Sequence, residues 1–132
     1  MPKLTIASLQ ALQQHAAQDD ACDALLAGLS PAPALRERLR ALLQAQLAFL
    51  QAEHEVSQVS DLLRRDQKYA PAGPPSVHIV GLRKQQAATK QTLLVARAKL
   101  AQVAQTFVQA SNLPLKPKQT PSEATTQWLQ KR

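Results

Sequence analysis

The fold is decided by residues 35–110, which read LRERLRALLQAQLAFLQAEHEVSQVSDLLRRDQK (35–68), YAPAGPP (69–75) and SVHIVGLRKQQAATKQTLLVARAKLAQVAQTFVQA (76–110). In the first segment Leu35, Leu42, Phe49, Val56 and Leu63 recur every seven residues, and Ala45, Ala52 and Val59 follow the middle three by three. Large residues at one heptad position and small ones at the other describe a seam that winds a helix against a partner. The last segment repeats the scheme with Leu93, Leu100 and Phe107 against Ala96, Val103 and Ala110. Continued backwards, that frame passes through Thr89 and Gln86, a polar heptad, to Leu82 and Ile79. The join between the segments holds three prolines, which lack donors and fix φ, so it cannot continue a helix. The expected fold is all-α: a long antiparallel, coiled-coil-like helical hairpin with arms over 31–69 and 77–112. Arms of about thirty residues would be roughly 45 Å long at 1.5 Å per residue.

A second stripe lies at one end only of each arm: Leu39, Leu43, Leu47 and Leu50 on the first, and Leu94, Ala101 and Val108 on the second. Antiparallel packing puts both stripes at the base, away from the proline-rich tip, and an apolar strip of that size asks for a cover. Residues 4–29 read as one or two short helices suited to the task. Asp20 is a candidate cap for the second, and Gly28 a candidate left-handed stop. The alternative is that this segment swings out and a neighbour covers the leucines.

Ser30-Pro31 is a start signal for the first arm, serine as N-cap and proline at the first helical position. Ser76 is a candidate cap for the second arm, although Val77–Val80 also fits extended chain. Asn112, Leu113 and Pro114 together form a stop signal. Residues 1–112 are therefore expected as one helical domain, and 113–132 as a basic, proline-rich tail. In that tail LPLKPKQ (113–119) reads as an extended, stiff linker. Thr120-Pro121-Ser122-Glu123 then reads as a capping box opening a short helix to Gln130.

The composition fits helix, since glycine is scarce and the only aromatics are Phe49, Tyr69, Phe107 and Trp128. A lone cysteine, Cys22, excludes an internal disulfide and fits a reducing compartment. No apolar run reaches 18 residues, and a cytoplasmic location without membrane contact is the expectation.

No chemistry-bearing motif survives inspection. His54-Glu55-Val56-Ser57-Gln58 has glutamine where a zinc-protease helix needs its second histidine. His15 and Cys22 are seven residues apart on a helix, about 10 Å along the axis and too far to share a metal. His78 is expected near the tip with no cysteine or carboxylate beside it. The three glycines are too scattered to cradle a phosphate. The expectation is a non-enzymatic protein with no cofactor and no metal.

Charge carries the functional reading. The net charge is +7, and Gln67 to Ser122 contains no acidic residue. Arg64, Arg65 and Lys68 close the first arm while Arg83 and Lys84 open the second, so the hairpin should gather five cations at its tip. Helix dipoles favour the first three but not the last two, which lie toward a helix N-terminus. Arg83, Lys90 and Arg97 recur every seven residues, a basic line down one flank. Cations placed against local stability fit a polyanionic partner, of which phosphate is the commonest.

The expected function is a helical subunit of a larger assembly that contacts DNA or RNA backbone, independent of sequence, through Arg64, Arg65, Lys68, Arg83, Lys84, Lys90 and Arg97. Leu43, Leu47 and Leu50 would dock on other protein subunits, as would Trp128 and Leu129, for which docking on the hairpin itself is an equal alternative. The alternatives are a protein–protein adaptor with no nucleic-acid role and a self-associating homo-oligomer.

Overall fold

A computed structural model describes residues 4–27, 29 and 32–132, and gives five helices: α1 (Ile6–Ala16), α2 (Asp19–Leu25), α3 (Ala32–Lys68), α4 (Val77–Ser111) and α5 (Pro121–Gln130). No strand occurs among the described residues. The expected Ser30-Pro31 start and Gly28 stop lie outside them. The long arms α3 and α4 pack against each other as a hairpin, of 37 and 35 residues, hence each about 50–55 Å long.

The seam follows the heptads. Leu35, Leu42, Leu63, Ala45, Ala52 and Val59 are buried on α3, as are Ile79, Leu82, Leu100 and Phe107 on α4. The polar heptad is accommodated by bonding: Gln86 Nε2 donates to Ser60 Oγ across the seam at 3.2 Å, and Thr89 Oγ1 donates to the Gln86 carbonyl at 3.0 Å.

Local signals set the ends. Thr5 and Ser8 cap α1 reciprocally, the Ser8 amide donating to Thr5 Oγ1 and the Thr5 amide to Ser8 Oγ. The residue before α2 is Gln18, with no side-chain cap bond; Asp20, expected as a cap, stands in the first turn beside Asp19. Ser76 Oγ accepts from the Ile79 amide, so Val77–Val80 is helix rather than extended chain. α4 stops at Asn112 in the left-handed region, φ 55°, the conformation that ends a helix with least strain for asparagine. Thr120 Oγ1 accepts from the Glu123 amide to open α5.

One core at the base joins all five helices: Leu9, Cys22 and Leu26, then Leu39, Leu42 and Leu43, then Leu100, Ala104 and Phe107, closed by Trp128 and Leu129. A small second cluster near the tip consists of Leu63, Ile79 and Leu82.

The C-terminal segment departs from expectation. Residues 113–119 are not a stiff extended spacer. The Gln119 amide donates to the Lys116 carbonyl at 3.0 Å, with Pro117 next in line and Lys118 at φ 64°, the arrangement of a type II turn. That reversal sends α5 back onto the bundle, where the Trp128 ring meets Phe107 with centroids 5.3 Å apart at a tilt of 47°. Thr126 Oγ1 also donates to Gln46 Oε1 at 3.4 Å.

The cover of the base is thereby divided. The N-terminal helices pack on α3, and α5 packs on α4 beside Phe107. Leu94, expected under a cover, stays 56% exposed; Ala101 is exposed too, and only Val108 of that stripe is buried.

Candidate nucleic-acid interface

The expected protein-docking residues need correction. Leu43, Trp128 and Leu129 are 1%, 7% and 2% exposed inside the chain's own core, and Leu47 and Leu50 are half-buried against it. Folding back of α5 has already satisfied these apolar side chains, so they offer little to a neighbour. The exposed large apolar residues lie elsewhere: Leu94 and Val95 midway along α4, Leu62, Tyr69, Val77 and Val80 toward the tip, and Leu115 after α4.

All seven expected phosphate-binding cations are exposed. The hairpin register sets Arg64 and Arg83 on the rims of one groove of about 500 Å³, with Ser60, Leu63, Gln67 and Gln86 as its other walls. Segments nineteen residues apart in sequence are thus joined at one place. Lys84 opens onto water one position along the helix. Lys90 and Arg97 continue the line of Arg83, at about 10 Å per heptad.

These cations differ in what already holds them. Arg64 lies 3.6 Å from Asp61 one helical turn back, both side chains largely in solvent; an exposed pair of this kind contributes little and is easily exchanged. Arg65 Nε donates to Asp66 at 3.2 Å. The Lys68 ammonium sits 5.6 Å from the Tyr69 ring centroid, and the Arg97 guanidinium 6.0 Å from that of Phe49. Arg97 shares a groove of about 500 Å³ with Phe49, Leu50 and Glu123, so an acid stands near it. Arg83, Lys84 and Lys90 have no acidic side chain within 4.0 Å among the described residues.

His78 does meet a carboxylate, contrary to expectation. Its Nε2 lies 2.7 Å from Asp66 Oδ2, tying the start of α4 to the end of α3. Bonding from His78, and then from Arg65, holds the Asp66 carboxyl below the usual carboxylate range. The partners are twelve residues apart, and only the pairing of the arms brings them together.

Tyr69 was absent from the expected set. It is 76% exposed at the mouth of a recess of about 560 Å³ formed by the turn, with Pro71, Pro74, Pro75, His78 and Arg83 among the lining side chains. Its signal in the sequence was a sole aromatic among the tip cations.

Nothing gathers for metal or thiol chemistry: among the described residues no three His, Cys, Asp or Glu side chains converge. Cys22 is fully buried, and burial pushes its thiol up, away from the reactive thiolate. Among the described residues no helix is long and apolar enough to cross a membrane. Compared with known proteins, the chain matches no family model, no curated protein and no solved structure.

Proposed function

We propose that this protein is a non-enzymatic helical subunit of a nucleoprotein assembly. Its hairpin tip and the basic flank of α4 bind DNA or RNA phosphates without reading sequence. One observation carries this reading. Arg83, Lys84 and Lys90 are exposed with no acidic side chain within 4.0 Å among the described residues; Arg83 and Lys90 lie seven residues apart on one flank of α4, and Arg83 shares a groove with Arg64. Charge left uncompensated on a helix surface is available to release counterions from a polyanion, the main source of sequence-independent affinity.

The test is fluorescence anisotropy with labelled duplex and single-stranded oligonucleotides at about 50 and 200 mM salt. Affinity should fall steeply with salt, with a slope near −0.9 per phosphate neutralised on duplex. The double variant Arg83→Glu with Lys90→Glu should lose about tenfold or more and flatten that slope by about two contacts. Helix content should not change, because both side chains are exposed. Absence of binding at the lower salt rejects the reading.

The adaptor reading retains one specific support: Leu94 and Val95 are 56% and 59% exposed, side by side on the face of α4 turned away from the seam. Leu94→Asp separates the two, since it would abolish docking to a protein and leave phosphate binding intact.

A further inference from the structure

We propose that the hairpin tip holds one unstacked base, which makes single-stranded rather than duplex nucleic acid its ligand. This rests on the phosphate-binding reading above and narrows it to a substrate class.

Two recesses adjoin at the tip. One is the turn recess of about 560 Å³, walled by Tyr69 and by Pro71, Pro74 and Pro75. The other is the cation groove of about 500 Å³ between Arg64 and Arg83. Gln67 and Arg83 line both, so the apolar recess and the cationic groove are neighbours on either side of these two side chains. The turn recess is within the range of about 300–1,000 Å³ that suits a small ligand. A base against the prolines and tyrosine would place its own phosphates toward Arg64 and Arg83.

The side chains suit the task. Tyr69 has no part in either apolar cluster. Its exposed ring meets the Lys68 ammonium at 5.6 Å, an exposed contact that a base stacking on that face would displace, leaving the ammonium for a phosphate to engage. An aromatic face accepts any base by stacking, whichever the sequence. The Gln67 amide supplies both a donor and an acceptor at the boundary, where a base edge would lie. Gly73 closes the turn at φ 125°, and nothing lies within 4 Å of where its Cβ would stand, so the approach is open.

The acid in the recess, Asp66, is engaged by His78 and Arg65 and does not face the ligand as a free charge. In a duplex the bases are stacked and paired, and their faces reach a protein only after extrusion. Phosphates of either form can meet the cations, but only a single strand can also fill the recess.

The experiment uses the full chain with a fluorescein-labelled thymidine oligomer of about 12 nucleotides and a duplex of equal length, at about 50 mM salt. The single strand is expected to bind more tightly. Tyr69→Ala should weaken single-strand binding by about tenfold and leave duplex binding unchanged, and Tyr69→Phe should restore it. Tyr69→Trp adds an exposed indole whose emission the single strand, and not the duplex, should quench. Because Tyr69 lies outside both cores, these variants keep the fold. If wild-type binding is present but Tyr69→Ala weakens both ligands equally, or neither, the base site is overturned. If neither ligand binds, the phosphate reading fails first and this proposal goes with it.

Discussion

At the base of the hairpin, Arg36 grips Asp23 through two nitrogens and lies 3.5 Å from Asp19, while Arg40 bonds Asp19 and the Ala16 carbonyl. At the tip, Arg83 and Lys84 are exposed and have no acidic side chain within 4.0 Å among the described residues, although Arg83 shares the turn recess with Asp66. One residue type thus does two jobs on one scaffold. Near the base, α2 brings its acids to the α3 arginines, and the charges fasten two helices together. Near the tip only two helices are present, and the second has no acid to offer. The packing differs in the same sense, a five-helix core against a cluster of three side chains. The larger apolar core lies where α2 pairs with the α3 arginines, and the cations without an acidic partner, Arg83 and Lys84, lie where the apolar cluster is small.

Three measurements test that contrast. The largest effect should come from Phe107→Ala, which empties the contact with Trp128 and should cost about 3–5 kcal/mol in urea unfolding. Ile79→Ala at the tip should cost about 2 kcal/mol, the low end for such a truncation, and should speed amide exchange only around the turn. If Ile79→Ala proves as costly as Phe107→Ala, the base does not hold most of the stability.

The smallest effect is electrostatic and depends on pH. Hydrogen bonding from Arg40 to Asp19 and from Arg36 to Asp23 holds both carboxyls below the usual range. Their contribution is therefore complete above a pKa of about 3.9 and is lost as pH falls through the depressed folded values. The stability gap between wild type and Arg36→Ala should be full at neutral pH and close in that acid window. Arg64→Ala should open no measurable gap, since its pair with Asp61 is solvated. A gap of equal size for both variants would erase the distinction between the two ends.

What could be read in the residues beforehand was whatever is local in the chain. The seven-residue recurrence from Leu35 to Leu63 defines a seam without reference to anything distant. Ser76, Asn112 and Thr120 act on backbone within three or four residues of themselves. What escaped depends on register or on non-local packing. The meeting of Asp66 and His78 follows from how two arms align, and neither residue announces the other. Lys118 adopts a positive φ that its side chain does not favour, so the turn at 116–119 was hidden behind prolines that fit a straight spacer equally well. With that turn missed, Trp128 could not be assigned to Phe107, and Leu94 was expected under a cover that α5 provides elsewhere. The tip cations were legible as a group because arms of nearly equal length, closed by a short proline-rich join, must bring their adjoining ends together.

The return of α5 to the bundle has a practical side. Leu4 and Arg132 border the same recess of about 410 Å³, so both ends of the described chain emerge at the pole opposite Tyr69 and Arg83. A fluorophore, surface tether or fused domain attached at either terminus would leave the far pole unobstructed. Molecules anchored on a sensor chip by an end tag would all present the same extremity to the solution.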